Sequence, residues 1–296
     1  AVCVHADDRM FRMAMSSSLM KSVNENDAQA AMRTWMAALS EHARLEMDYN
    51  VQILSDTEAL VHAFESKHAD CLTVTTEEFL AVDRVIATTN LLAERGADGG
   101  DSYLLLAHER SGITNVANLK GRALLVSDSM RMSLAQSWLD VLLMRDGLPQ
   151  ADQFFRSITR KKNLPQIILP VFFRTAEVCL VPKRGFDAMV ELNPQVGKQL
   201  RVIAQSERYV AGLLCFRGDY LGPHLKIVTA AILNFQTTTH GQQVLTLFQS
   251  EPVAWLPRSS LTSAITLIEE RKRLSSGAAH NFKITAHPPS GLAPQP

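Results

Sequence analysis

The chain has 296 residues, 46% of them apolar, enough for one large or two medium domains with proper cores. Lys plus Arg equals Asp plus Glu at 30 each, so no basic field draws in nucleic acid or an anionic membrane surface, and a small molecule or a protein is the expected partner. Cys3, Cys71, Cys179 and Cys215 show no CxxC or CxxH spacing, which leaves neither a zinc signature nor a redox motif; Cys71 and Cys179 read as buried small hydrophobes.

Ala1 to Ala6 is a short, mostly apolar run before the charged Asp7-Asp8-Arg9. Val4 and Ala6 suit the minus-three and minus-one positions of signal-peptidase cleavage, so the run reads either as the stub of an export signal, mostly missing from this chain, or as an accidental apolar start. No later stretch has the uninterrupted apolar length of a membrane span, so a soluble mature protein is expected.

From Phe11 onward strands and helices alternate, the pattern of an α/β architecture with largely parallel sheets. Phe11 to Met15 is a strand ending in Ser16-Ser17-Ser18. Asn26 or Asp27 caps a helix whose Met32, Trp35, Met36 and Leu39 form a core stripe. Val51 to Leu54 is a strand, Asp56 caps a helix carrying Leu60, Val61 and Phe64, and Asp70 to Val74 is a strand ending in Thr75-Thr76. Two strand ends thus carry hydroxyls where helices begin, the edge at which open α/β sheets hold ligands. Arg95 to Asp101 lacks the GxGxxG order and a following helix pattern, so it is a loop or hairpin connection, and Ser102 to Ala107 is a strand and candidate crossing between two lobes.

Gly112 to Ser129 reads as a short capped helix, a Lys120-Gly121 turn, and a strand running into Ser127-Asp128-Ser129 just before a helix from Met130 to Met144 that Gly147 stops. Phe155 to Ile158 is a short strand, Pro165 opens a helix over Leu164 to Phe173, and Glu177 to Val181 is a strand. Met189 to Leu192 ends a helix before Asn193-Pro194, and Leu200 to Ala204 is a strand leading to Ser206. His224 to Leu274 is dominated by helical periodicity, with Ser259 or Ser260 capping a last helix that ends in Arg271-Lys272-Arg273. Residues 276–296, with Pro288, Pro289, Pro294 and Pro296, form a disordered or loosely packed tail.

This order of elements resembles the type 2 periplasmic binding proteins, and within them the phosphate/phosphite/phosphonate family of ABC-transporter substrate-binding proteins, as a divergent member. The resemblance runs from about Arg12 to Leu274. It is carried by Ser111-Gly112-Ile113 through Asn118-Leu119-Lys120-Gly121-Arg122, by Ala176-Glu177-Val178-Cys179-Leu180-Val181, by Asn193-Pro194-Gln195, by Val202-Ile203-Ala204-Gln205-Ser206, and by Thr239-His240-Gly241-Gln242-Gln243. It implies two α/β lobes, each a mixed, mainly parallel sheet flanked by helices, joined by two hinge strands, with the solute between them. Lobe one would comprise residues 9–103 plus 207–275 and lobe two residues 104–206. It further implies a monomeric, exported, periplasmic protein that needs no cofactor, is no enzyme, and hands its solute to a membrane permease.

The resemblance places candidate ligand contacts at strand ends and near the hinge: Ser17, Ser18, Thr75 and Thr76 in lobe one, and Ser127, Asp128, Ser129 and Arg131 in lobe two. Tyr103 stands where the family has a hinge-proximal tyrosine, and Glu177 where an acidic residue faces a ligand amine. Asn24, Glu25 and Asn26 form a polar cluster that would line the cleft. Each has a plain structural alternative. The hydroxyls form turns or caps, Arg131 faces solvent, and Glu177 pairs with Arg174 or Arg131. The family's Ser-Thr-Ser-Gly cluster is replaced by Ser127-Asp128-Ser129-Met130, and a carboxylate at Asp128 repels a dianionic phosphonate unless Arg131 offsets it. The implied solute is therefore a small anion or zwitterion. Two other functions fit the same scaffold: a lyase-type enzyme with Glu177 or Asp128 as base, and a sensory module for a membrane kinase. Glu77-Glu78 and Glu269-Glu270 read as solvated faces, and no HExxH, GxSxG or Walker pattern is present.

Overall fold

A computed structural model describes residues 10–20, 24–85, 88–94, 100–221, 223–247 and 250–285. The candidate export stub, residues 95–99 of the expected loop, and residues 286–296 of the tail lie outside the described residues. The chain opens with β1 (Met13–Ser16), α1 (Glu25–Ala43), β2 (Gln52–Leu54), α2 (Thr57–Glu65), β3 (Cys71–Thr75), α3 (Thr76–Val85) and β4 (Thr88–Glu94). Asp56 caps α2 as its sequence position indicates, accepting from the Ala59 amide at 2.8 Å. The α1 cap is Asn24, earlier than the expected Asn26 or Asp27, and its side-chain oxygen accepts from the Asn26 amide. Met32, Met36 and Leu39 of α1 are buried, as their spacing requires.

The middle of the chain supplies β5 (Tyr103–His108), β6 (Ala123–Ser127), α4 (Ala135–Arg145), α5 (Ala151–Phe154), β7 (Ser157–Lys161), α6 (Pro165–Phe172), β8 (Val178–Pro182), α7 (Lys183–Leu192), α8 (Pro194–Gln199) and β9 (Leu200–Gln205). The expected continuous helix from Met130 is interrupted. A 3-10 turn covers Met130–Met132 and α4 begins only at Ala135, so the Ser127 to Ser129 loop is not itself a helix N-terminus. The chain then forms β10 (Gly212–Arg217), α9 (Pro223–Phe235), α10 (Thr239–Leu247), β11 (Val253–Trp255) and α11 (Thr262–Thr285). Ser259 and Ser260 belong to a 3-10 turn over Arg258–Leu261, and α11 continues past the expected stop at Arg273.

Two sheets result. The first has the order β11-β4-β10-β3-β1-β2 and the second β7-β6-β8-β5-β9. In the first, β1 is parallel to β2 and β3, while β10 is antiparallel to β3 and β4; in the second, β6 is parallel to β7 and β8, while β5 is antiparallel to β8 and β9. The registers fix how the sheets face each other. β4 leaves the first sheet at the edge where β1 and β3 end, and β5 enters the second at Tyr103, opposite Pro182, the end of β8. β9 leaves by the same edge of the second sheet, with Gln205 opposite Leu104, and β10 returns at Gly212 opposite Thr75. The carboxyl ends of both sets of parallel strands therefore meet across the two crossings, the arrangement in which α/β proteins build ligand crevices.

The crossings are paired to each other. The Asp101 amide donates to the Tyr209 carbonyl at 3.1 Å and the Tyr209 amide returns a bond to the Asp101 carbonyl at 2.9 Å. Beside this pair Gly100 lies so close that a Cβ there would stand 2.9 Å from the Tyr209 carbonyl carbon. A third link is helical. β11 belongs to the first sheet, whereas Ala264, Leu267 and Ile268 of α11 join Trp138, Leu139 and Tyr103 in the second sheet's core. Arg271 of α11 pairs with the buried Asp140 of α4 at 2.8 Å, and Arg145 with Glu270 at 2.6 Å.

Two consequences are measurable. Gly100→Ala forces backbone against backbone at the crossing and should lower unfolding stability by about 1 to 3 kcal/mol in denaturant titrations. Asp140→Ala strips the buried acceptor from the Ala151 amide (3.0 Å) and from Arg271, and should cost about 2 kcal/mol; a loss no larger than that of exposed substitutions would show that α11 is not anchored there.

Candidate functional site

Because β1 and β3 are parallel neighbours, Ser16 and Thr75 finish at one edge, and α3 starts immediately after Thr75. Thr75-Thr76-Glu77-Glu78 is a capping box. The Glu78 amide donates to Thr75 Oγ1 at 3.3 Å, and the Thr75 amide donates back to Glu78 Oε2 at 2.9 Å. Thr75 Oγ1 donates to the same oxygen at 2.9 Å. The second carboxylate oxygen is taken from β1's side, where Ser16 Oγ and Ser18 Oγ donate to Glu78 Oε1 at 2.7 and 2.8 Å. Thr76 is buried, its hydroxyl donating to the Val210 carbonyl and its amide to that of Ala211, so it ties α3 to the return crossing. Ser17 is half-buried in the turn that packs against Met130–Met132.

The second sheet supplies the opposing wall. Ser127 is buried at the end of β6, and the Asp128 amide donates to the Lys161 carbonyl at 2.8 Å. Ser129 Oγ is buried and finds no hydrogen-bond partner among the described residues. Arg131 neither faces solvent nor stands free to clamp an anion. Its guanidinium grips Glu94 at the end of β4 through Nη2 at 3.0 Å and Nε at 3.2 Å, across the gap between the sheets. Glu94 also accepts from Ser250 Oγ at 2.7 Å. Tyr103 is wholly buried among Trp138 and Tyr209, and its hydroxyl donates to the Arg131 carbonyl at 3.0 Å; it props the arginine's backbone and does not lean over a ligand. Burial raises its phenol well above the usual range.

A crevice of about 410 Å³ is lined by Ser18, Thr75, Glu77, Glu78 and Arg84 on one side and by Ser133, Ile268 and Lys272 on the other; of the expected contacts only Ser18 and Thr75 line it, and Ser127, Asp128, Ser129 and Arg131 do not. Ser133 Oγ donates to the Ala211 carbonyl at 3.0 Å. Among the described residues Arg84 and Lys272 make no ion pair, although the carboxylates of Glu77 and Glu78 line the same crevice. Asn24 and Asn26 are exposed at the start of α1 and do not line it. A separate apolar cavity of about 130 Å³, lined by Met13, Met15, Met32, Trp35 and Leu245, lies in the first half between its sheet and α1 and α10.

Glu177 is misplaced for a ligand contact. It stands just before β8, beside Ala123 at the start of the parallel β6, and therefore at the opposite edge of the sheet from Ser127 to Ser129. It accepts from the Ala123 amide at 2.9 Å and pairs with Arg122 at 2.8 Å and Arg156 at 3.1 Å, not with Arg174 or Arg131. The Ala123 amide, followed by Arg122, holds its carboxyl below the ordinary 4.5, which is the wrong direction for a general base. Asp101, at the hinge, shifts the other way: burial raises its carboxyl despite the amides of Arg184 and Ser102, and one of its oxygens has no partner among the described residues. The three described cysteines, Cys71, Cys179 and Cys215, are buried, and burial pushes their thiols up into an unreactive range. No group of three His, Cys, Asp or Glu among the described residues is placed to hold a metal ion, and no helix there is long and apolar enough to cross a membrane.

The two sheets joined through paired crossings define the type 2 periplasmic binding fold, shared by solved structures similar to this one. The chain belongs to the family described as ABC transporter, phosphonate, periplasmic substrate-binding protein, whose profile matches residues 18–254. A binding-protein component of an ABC phosphonate transporter from Pseudomonas aeruginosa superposes with a TM-score of 0.57 at 14% identity, covering 90% of this chain and 88% of that one. PhnD1 of Prochlorococcus marinus in complex with methylphosphonate gives 0.59 at 13% identity, over 90% and 98% of the two chains. A Xanthomonas citri protein bound to chloride ion gives 0.60 at 13%, over 90% and 99%. At these identities the likeness concerns the fold. No curated protein is similar in sequence.

Glu78, Glu94, Arg84 and Lys272 are the site residues that sequence reading passed over. Only Glu78 left a local mark, the T-x-x-E spacing of a capping box. Glu177→Gln tests the reassignment at the far edge. Its stabilising contribution is present above pH 4.5 and is lost as pH falls through the lowered folded-state value, so the substitution should cost less than about 1 kcal/mol at pH 7, with the difference fading in acid. Any loss of solute affinity would contradict the placement.

Proposed function

We propose that this protein captures a small anionic or zwitterionic solute in the crevice between its two halves and delivers it, untransformed, to the membrane permease of an ABC transporter. Residues 9–103 with 207–275 make one half and residues 104–206 the other, except that α11 packs on the second half, and closure about the paired crossings buries the solute. The observation that carries this reading is the pair of cations, Arg84 and Lys272, which face one crevice and make no ion pair among the described residues. Two cations in no ion pair suit a carboxylate, phosphonate or sulfonate group, whereas the Ser18, Thr75 and Ser133 hydroxyls already donate to Glu78 and the Ala211 carbonyl. Membership of a transporter's substrate-binding family supports delivery over turnover, as does the position of Glu177, far from the crevice and held ionised.

Calorimetric titration with a panel of phosphonates, sulfonates, amino acids and phosphorylated amines tests the reading. At least one should bind, raise the melting temperature by mass action, and weaken about tenfold or more in Arg84→Ala or Lys272→Ala. Silence across the panel, or a solute whose affinity ignores both substitutions, sinks it.

A further inference from the structure

The carboxylate of Glu78 occupies a place a solute's anion would otherwise take. Four donors converge on it: Ser16 Oγ and Ser18 Oγ on Oε1, and the Thr75 amide and Thr75 Oγ1 on Oε2, all between 2.7 and 2.9 Å. A carboxylate offers about four acceptor positions, and here all are filled. The capping box explains the Thr75 amide bond, because an N3 glutamate reaches the N-cap amide in many helices. It does not explain the two serines. They come from another strand's end, some 60 residues earlier in the chain, and they bond to the oxygen the capping box leaves over.

Two hydroxyls from β1's end, a hydroxyl and an amide from β3's end, and a helix N-terminus make a receptor for a compact oxyanion. In this chain the receptor holds an anion of its own. We infer that Glu78 is a built-in occupant of the first half's oxyanion cradle and the residue that sets solute specificity: it turns away solutes whose only strong handle is a compact phosphate, phosphonate or sulfate group. Such a dianion would have to approach a carboxylate that already holds all four donors, and the like charges repel at close range. The inference rests on the solute-binding reading above and sharpens it. The anionic part of the natural solute is received by Arg84 and Lys272, while the Ser16, Ser18 and Thr75 donors stay with Glu78.

Titration calorimetry of the full chain with inorganic phosphate and with methylphosphonate tests this on wild type, Glu78→Ala and Glu78→Gln. Glu78→Ala empties the cradle but leaves Ser16, Ser18 and Thr75 in place, so both probes should bind at least about tenfold tighter than to wild type, and a further Ser16→Ala change should abolish the gain. Glu78→Gln preserves the capping geometry and the fold while removing the charge. It guards against a misfolded alanine variant, and with it too the probes should bind more tightly than to wild type. Wild type binding methylphosphonate as tightly as either variant overturns the inference. Folded variants with no gain also overturn it. If that wild-type binding is lost in Arg84→Ala, the solute-binding reading stands and only the role of Glu78 falls. If the variants gain the probes while no solute in the wider panel binds wild type, the role of Glu78 stands and the transport reading falls.

Discussion

The constraint on which the rest depends is the short antiparallel pairing of Asp101 with Tyr209, where the outgoing and returning chain run side by side. Two α/β sheets could be connected in many ways. Here both passages leave from and arrive at the carboxyl edges of the parallel strands, so the hydroxyl-bearing ends of β1 and β3 are brought opposite the loop that follows β6. Gly100 permits the approach because nothing larger fits against the Tyr209 backbone. Tyr103 and Tyr209, in ring contact at 5.7 Å between centroids, give the crossing an apolar base.

What holds the halves together across the crevice is modest. Among the described residues outside α11, Arg131 with Glu94, Arg184 with Glu251, and Ser133 with the Ala211 carbonyl are direct polar ties, and the two ion pairs are partly exposed. Pairs of that kind contribute at most about 1 kcal/mol each. On the proposed function, a closed state supported by a few such ties would lie within reach of an open one, and a solute of ordinary affinity would shift the balance. The α11 helix acts differently. It leaves the first half after β11 and is anchored on α4 by Leu267, Ile268 and two arginine-carboxylate pairs, one of them ending on the buried Asp140. Lys272 therefore reaches the crevice from an element fixed to the second half, whereas Arg84, on α3, comes from the first. A solute touching both would tie the halves together.

Much of this was legible in the sequence because it is local. Asp56 before an apolar stripe, Pro165 at a helix start and the strand-helix alternation each have a short-range physical cause, and the family resemblance ordered them into a bilobed fold. β10 was hidden because Gly-Leu-Leu-Cys-Phe-Arg has no alternation: it is a central strand with apolar residues on both faces. β11, three residues long, sits inside a helical stretch and exists only because β4 offers it an edge. At the site, the strand-end hydroxyls of Ser18 and Thr75 were found by topology, but their partner Glu78 was read as a solvated face although its T-x-x-E spacing was visible. Arg131 and Glu177 went elsewhere because their partners, Glu94, Arg122 and Arg156, are set by tertiary placement that no spacing encodes.

The claim that the crevice is where the solute sits is tested most directly by a crystal structure of the protein with its identified solute bound. The account predicts density between Ser18 and Ser133, with the solute's anionic group in hydrogen-bonding contact with Arg84 or Lys272 and the Glu78 carboxylate still held by Ser16 and Thr75. Density in the methionine-lined cavity beside Trp35, with the crevice left to water, would contradict it.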